Sequence, residues 1–193
     1  KLDIFSAAGH GLIDELKSII DQNPESVNYK DKQGLTPFDH CAWNFQPKTA
    51  RLLLQNRAVP NIISVSRLSL YETAINLIKT NPEIVNLEDE KNIYENPVMA
   101  ALEANDLRMI KILADNGANL KDNADNYIDI ALTKNNPRII QLIMDHAAGQ
   151  NDLAGRITDK QGKPIDARID AWTWYEGSET QTNKLGFFIL RNI

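Results

Sequence analysis

Residues 31–61, DKQGLTPFDHCAWNFQPKTARLLLQNRAVPN, constrain the fold more than any other stretch of this chain. The stretch reads as a turn, a short helix, a second turn, a longer helix and a closing turn. Thr36 has the position of an N-cap, Pro37 that of the first helical residue, and Asp39 completes the spacing of a capping box. The second helix carries the apolar residues at 52–54. So short a pair of helices cannot bury its apolar side alone, and neighbouring pairs are needed to cover it.

The same stretch resembles one ankyrin repeat, whose signature is T-P-L-H-x-A followed by a second helix. Two positions depart from the family pattern, because Asp39 stands where the histidine usually is and Phe45 stands at the inter-helix glycine. Ten positions match in order: Asp31, Gly34, Thr36, Pro37, Phe38, Ala42, Leu53, Leu54, Ala58 and Asn61. The resemblance implies stacked helix pairs that bind proteins through the concave face of the first helices and through the turns between repeats.

Repetition along the chain predicts about five such pairs. The small-residue positions of the first helices fall at 7, 41, 65, 101 and 131, with spacings of 34, 24, 36 and 30. These spacings scatter around the family period of about 33. A second signal is internal, because the sequence of 18–28 recurs at 76–86 with an offset of 58. The spacing of 24 predicts that the third pair lacks a projecting turn before its first helix.

The fifth pair is expected over residues 121–148, and the periodicity changes after it. Asn126 and Asp129 have the capping spacing, which predicts a helix beginning after Asn126. Residues 149–152 are interpreted as a linker. Residues 153–158 and 167–174 alternate between apolar and polar side chains, as half-buried strands do.

The segment 153–193 resembles the opening of two families of small β-sandwiches. The shared pattern is G-x-[VI]-x-D-x-x-G-x-P-[IL], continued by an A-x-[VI] strand and a T-x-T strand. One family is the carboxypeptidase regulatory-like (transthyretin-like) domain, and the other is the intradiol ring-cleavage dioxygenase, whose tryptophan is matched by Trp172. The resemblance covers about 40 residues and implies the first half of a sandwich. It also favours a periplasmic or secreted protein.

The predicted fold is therefore mainly α, an α-solenoid of about five ankyrin repeats with a short C-terminal antiparallel β unit. The predicted divisions are an ankyrin repeat domain at 1–148, a linker at 149–152 and a partial sandwich-like unit at 153–193.

Composition and motifs argue against catalysis. The net charge of −5 makes nucleic acid an unfavourable partner, and no apolar stretch is long enough for a membrane span. The three histidines, His10, His40 and His146, fall in different repeats without metal-ligand spacing. No histidine follows His146, so the iron ligands of the dioxygenase family have no counterpart. The expectation is no enzyme, no catalytic residues, no cofactor and no metal, with Cys41 a buried, inert thiol.

The resemblance to ankyrin repeats instead implies a protein partner, whose identity the sequence does not give. Trp43 is interpreted either as an interface anchor or as packing against the next repeat. The candidate partner-binding residues are Lys32, Gln33, Leu35, His40, Trp43, Asn44, Glu90, Lys91, Tyr94, Glu95, Asn123, Asp125 and Tyr127.

Trp172, Trp174 and Tyr175 form a second aromatic group, which either covers the end of the repeats or serves as an assembly surface. In the second case two copies of the chain complete the sandwich, and the protein is a dimeric scaffold. Two other functions stay open. The chain could be an immunity or inhibitor protein that blocks an enzyme, or the recognition part of a longer enzyme or toxin system.

Overall fold

The computed structural model describes residues 2–88, 96–148, 153–172 and 177–190. By contacts the chain divides into two compact units, Lys1–Ala118 and Asn119–Ile193. The predicted linker, residues 149–152, lies outside the described residues, and the predicted domain boundaries stay predictions.

The described part of the first unit contains four helix pairs. They are α1 (Ile4–Gly9) with α2 (Ile13–Gln22), α3 (Pro37–Trp43) with α4 (Pro47–Gln55), α5 (Ile62–Arg67) with α6 (Tyr71–Thr80), and α7 (Pro97–Glu103) with α8 (Leu107–Asp115). Short 3-10 helices, Pro24–Asn28 and Pro82–Asn86, follow α2 and α6. The first helices pack side by side in the order α1, α3, α5, α7.

The second unit contains one further helix pair and four short strands among its described residues. They are α9 (Ala124–Thr133), α10 (Pro137–Ala147), β1 (Leu153–Arg156), β2 (Arg168–Trp172), β3 (Gly177–Gln181) and β4 (Phe187–Leu190). β1 pairs with β4 and β2 pairs with β3, both antiparallel. The predicted antiparallel β unit is thus present, as two two-stranded sheets.

The turn inside every helix pair has one residue in the left-handed conformation. The five residues occupy equivalent positions of the repeat, with φ values between 52° and 74°: Gly11, Phe45, Ser69, Asn105 and Asn135. Glycine adopts this conformation without cost, whereas a residue with a Cβ pays for it. Phe45, the departure noted in the sequence, therefore holds a strained backbone position that its neighbours in the repeat impose.

Backbone hydrogen bonds to the small-residue positions close these turns. The carbonyl oxygens of Ala7, Cys41, Val65, Ala101 and Ala131 each accept a backbone N–H from five residues on, at N–O distances of 2.8–3.2 Å. All five side chains are 0% exposed. The predicted repeat positions are therefore confirmed, including the poorest match, Val65.

The third pair begins without a projecting turn, as the spacing predicts. Only residues 56–61 separate α4 from α5, whereas residues 23–36 separate α2 from α3. Asn61 caps α5 directly, because its side chain accepts the backbone N–H of Ser64. The chain thus passes from the second helix pair to the third through residues 56–61 alone.

The carboxylate of Asp39 ties the second pair to the third. One carboxylate oxygen accepts the backbone N–H and the hydroxyl of Thr36, both at 2.8 Å, which completes the capping box of α3. The other oxygen accepts from the Asn61 amide at 2.6 Å and from the Ser64 hydroxyl at 2.7 Å. Asp39 is 8% exposed. The residue that departs from the family's histidine is therefore a buried link between repeats.

The sequence that recurs at an offset of 58 has the same role in both copies. Each copy forms a 3-10 helix that ends in an asparagine, Asn28 or Asn86. The Asn28 amide donates to the Arg57 carbonyl, and its side-chain oxygen accepts the backbone N–H of Val59. The Asn86 amide donates to the Gly117 carbonyl. In both places the asparagine fixes the turn that closes the next helix pair.

One predicted helix start is wrong. α9 begins at Ala124, with Asn123 as its N-cap residue, rather than after Asn126. The earlier start places Ala124, Tyr127 and Ala131 on one side of the helix, and all three are buried. Burial of this apolar stripe outweighed the capping spacing of Asn126 and Asp129.

Candidate functional site

A row of side chains crosses the first helices of the first unit. We call Phe5, His40, Trp43, Arg67 and Glu103 the inner row, because they come from α1, α3, α5 and α7, which lie side by side. Only His40 and Trp43 are among the residues that the sequence predicts for a binding surface. Phe5, Arg67 and Glu103 are identified by their contacts alone.

Trp43 packs against the next repeat, which is one of the two roles that the sequence leaves open; its role as an interface anchor stays a prediction. The Arg67 guanidinium lies over its ring at 4.9 Å from the ring centroid, a cation–π contact between neighbouring repeats. The Trp43 side chain is nevertheless 48% exposed. The ring is therefore fixed on one side and accessible from solvent, which suits an interface anchor.

Arg67 is held between two repeats. It is 7% exposed, and its guanidinium forms an ion pair with the Glu103 carboxylate. A buried guanidinium needs such a partner, because an uncompensated charge is costly away from water. Trp43, Arg67 and Glu103 thus form one continuous contact across α3, α5 and α7.

The other end of the inner row is built around His40. Its ring lies 5.4 Å from the Phe5 ring in a tilted arrangement, and its Nε2 lies 2.8 Å from a carboxylate oxygen of Asp31. Partial burial alone raises the pKa of Asp31. The hydrogen bonds from His40 and from the backbone of Leu35 and Gln33 outweigh it, so the pKa lies below its ordinary value.

The predicted residues of the second turn and helix lie next to this end of the row. Lys32 and Gln33 are exposed, and Leu35 is half-buried. Asp31 organises the turn by accepting the backbone N–H groups of Gln33 and Leu35, each at 2.9 Å. Asn44 is exposed at the end of α3, where its amide donates to the His40 carbonyl.

The predicted residues of the later turns are described only in part. Asn123 and Asp125 are exposed at the start of α9, in the second unit. Tyr127 is 2% exposed, and its predicted place on an exposed turn is therefore wrong. The spacing of Ala124, Tyr127 and Ala131, which places them on one side of a helix, was the sequence signal from which the burial of Tyr127 could have been predicted. The predicted Glu90, Lys91, Tyr94 and Glu95 lie outside the described residues.

The predicted assembly residues are described only in part. Trp172 ends β2, opposite Gly177 of β3. Trp174 and Tyr175 lie outside the described residues. The assembly role of this aromatic group stays a prediction.

The three histidines have local partners. His10 and His146 each bond through Nδ1 to a carbonyl one turn earlier, of Ser6 and Leu142, both at 2.8 Å. His40 bonds to Asp31, as described above. Across the described ranges, no group of three or more His, Cys, Asp or Glu side chains is arranged to hold a metal ion.

Cys41 is a buried thiol between the first two pairs. Its Sγ lies 3.3 Å from the Thr49 hydroxyl, which in turn donates to the Ala8 carbonyl at 2.9 Å. Burial raises the pKa of the Cys41 thiol to about 11, against a lowering by the contact with Thr49. The thiolate is the reactive form, so the folded protein holds Cys41 in an unreactive state at neutral pH.

We expect Cys41 to react with an aromatic disulfide reagent at pH 8 at least roughly 100-fold more slowly in the folded chain than in urea. This ratio follows from the thiolate fractions at a pKa of about 11 and at the ordinary value of 9.0, and exclusion of the reagent lowers the rate further. Absorbance of the released thiolate measures both rates, and a native rate close to that in urea contradicts the burial. The raised pKa also makes the free energy of unfolding depend on pH. The stabilising contribution of the protonated Cys41 is complete below pH 9 and is lost as the pH rises towards 11.

None of the helices in the part of the chain that the structure describes combines the length and the apolar character that crossing a membrane requires.

Comparison with known proteins adds a relative to these observations. The chain is 30% identical over 131 residues to a protein of fowlpox virus (strain NVSL) that bears the name of an ankyrin repeat protein. The similarity covers 63% of this chain and 29% of the viral protein, so the chain matches less than a third of that protein's length. No protein-family model matches the chain. The predicted resemblance of residues 153–193 to a sandwich gains no support from these comparisons.

The similarity to an ankyrin repeat protein is consistent with the helix pairs of the structure. The chain has a mainly helical fold of ankyrin-like repeats, followed by a small C-terminal antiparallel β unit.

Proposed function

We propose that this chain is a non-catalytic module that binds a protein partner through the inner row and the turn at residues 31–36. The observation that carries the proposal is Trp43, a large aromatic side chain that is 48% exposed and yet fixed by Arg67. Fixing an anchor before binding reduces the entropy that association must overcome. Phe45, 48% exposed, follows this anchor closely in the sequence and adds a second exposed aromatic side chain.

Contacts along the row favour a segment that lies across several repeats. Phe5 and His40 stand at one end, and Glu103, 44% exposed, stands at the other. The polar groups at the ends, Asp31 with His40 and Arg67 with Glu103, are already paired. A partner therefore gains most from covering the Trp43 and Phe45 rings, with hydrogen bonds at the rim.

Trp43→Ala is expected to weaken partner binding by at least about 30-fold, the loss that a central aromatic anchor causes. Tagged full chain and variant are used to capture proteins from the encoding organism, with quantitative mass spectrometry. Affinity for the recovered partner is then measured by calorimetry. Ile13→Ala, at a 40% exposed apolar residue of α2, is the matched control and should leave binding unchanged. Equal capture by wild type and both variants contradicts the proposal.

A second candidate function, assembly of two copies through the β unit, is favoured by the strand arrangement. Each described strand pairs with one other strand, so each has an edge without a strand partner among the described residues. Such edges invite pairing with another chain. Light scattering of the full chain over a wide concentration range should then show the mass rising from 21.7 kDa towards twice that value. A constant mass at the monomer value rejects assembly.

The inhibitor role and the place in a larger enzyme system rest on fold analogy and stay predictions.

A further inference from the structure

A groove on the second helices of the first unit forms a separate surface. It has a volume of about 560 Å³, within the range of ligand-binding clefts. Its lining comes from three successive helix pairs: α4, the turn before α6 with the first turn of α6, and α8. The inner row contributes none of these residues, so the groove is a different surface from the one named in the proposed function.

Two arginines from different helices line this groove, Arg51 of α4 and Arg108 of α8. Both are exposed, and neither forms an ion pair with any residue that the structure describes. Arg67, by contrast, is paired with a carboxylate. Two guanidinium groups that share one groove and lack carboxylate partners are available to a ligand from outside.

Arg108 is held in place by a short chain of contacts. Its guanidinium lies 4.1 Å from the centroid of the Tyr71 ring. The Tyr71 hydroxyl donates to the Asp106 carboxylate at 2.9 Å, and the other oxygen of Asp106 accepts the backbone N–H of Met109. Burial, and then the hydrogen bond to Asp106, raise the pKa of Tyr71, so the hydroxyl keeps its proton. Asp106 is thus occupied, and Arg108 is oriented without being neutralised.

The charge balance of the groove indicates which anion it takes. Arg51 and Arg108 are opposed by one carboxylate in the lining, that of Glu72. The two arginines and Glu72 together leave one net positive charge in the lining, which a single carboxylate neutralises. A phosphomonoester, with nearly two negative charges at neutral pH, brings one charge too many next to Glu72. Leu54 and the buried Leu70 supply an apolar floor beside the arginines.

We propose that this groove binds an acidic peptide segment of a protein partner, with one Asp or Glu carboxylate between Arg51 and Arg108 and an adjacent apolar side chain on Leu54 and Leu70. The groove then offers a second contact, apart from the inner row, for a partner that extends around the repeats. Its ligand is recognised by one negative charge next to an apolar side chain.

The probe is the capped peptide Gly-Leu-Glu-Leu-Gly, titrated into the isotope-labelled full chain while backbone amide shifts are followed by NMR. We expect saturable shifts at the amides of residues 69–73, which line the groove. The peptides with Gln or Lys in place of Glu should bind at least about tenfold more weakly, because the charge-assisted hydrogen bonds are lost. The phosphoserine peptide should bind more weakly than the Glu peptide.

The matched variants separate the groove from general charge attraction. Arg51→Gln with Arg108→Gln should weaken binding of the Glu peptide at least about tenfold. Lys48→Gln with Lys111→Gln removes the same two charges from exposed positions on the same helices, outside the groove, and should leave binding unchanged. Trp43→Ala should also leave it unchanged, so failure here and failure of the inner row are distinguishable. Absence of shifts at residues 69–73, an equal loss in the lysine variant, or preference for phosphoserine each overturns the proposal.

Discussion

Tyr127→Ala is expected to lower the free energy of unfolding by about 3–5 kcal/mol, the range for removal of a large buried aromatic side chain. Tyr127 is among the largest fully buried side chains of the described residues, and it shares its side of α9 with the buried Ala124 and Ala131. Alanine leaves a cavity that a helix packed on two small residues cannot close. Urea unfolding followed by circular dichroism measures the loss.

Tyr29→Ala is the matched control for this substitution. Tyr29 is 48% exposed, and its hydroxyl accepts one hydrogen bond from the exposed Asn23. Its loss should cost less than about 1 kcal/mol. If the two tyrosine variants are equally stable, Tyr127 lies at the surface, and its role as a partner-binding residue returns.

The second large effect is expected for Asp39→Ala, with a loss of about 3 kcal/mol or more. The substitution removes a carboxylate that accepts four hydrogen bonds, two within the cap of α3 and two from the next helix pair. The bond from the Asp39 backbone to the Thr36 hydroxyl remains, but the two bonds from Thr36 to the carboxylate are lost, at a cost of about 1 kcal/mol or more. The buried Ser64 hydroxyl, left without this acceptor, adds a desolvation penalty of about 1–3 kcal/mol.

Two further variants define the cause of this loss. Asp39→Asn keeps the shape and one acceptor oxygen, but its NH₂ group faces donors, so an intermediate loss is expected. Asp21→Ala, at an exposed position of α2, should change stability by no more than about 0.5 kcal/mol. Urea unfolding again gives the free energies. If Asp39→Ala costs no more than Asp21→Ala, the carboxylate does not link the repeats.

Much of the helical part could be predicted from sequence because its signals are local. Thr36 and Asp39 formed the capping box within one turn of helix, and the small residues recurred at the repeat spacing. The start of α9 was missed because two local signals competed, the capping spacing of Asn126 and the apolar stripe of Ala124. Whether an apolar stripe is buried depends on the tertiary contacts available to its helix. A cap contributes only about 1 kcal/mol, so burial of the stripe decided the start of α9.

The candidate site was predictable only in outline. Trp43 and His40 were found because the repeat pattern places them on the exposed side of a first helix. Arg67 and Glu103 were missed because a charged residue near the end of a short helix usually points into solvent. Their pairing depends on α5 and α7 lying side by side, and they are 36 residues apart in sequence.

The sequence by itself determined where the helices other than α9 begin, where the chain turns and which small residues let helices approach. These features depend on neighbours within about one turn. The tertiary structure alone decided which polar groups meet across repeats. Asp39 reaches Ser64, 25 residues away, and Arg108 reaches Tyr71. Contacts of this kind form only after stacking has fixed the relative positions of the helices. The inner row and the arginine groove are therefore properties of the stacked helix pairs.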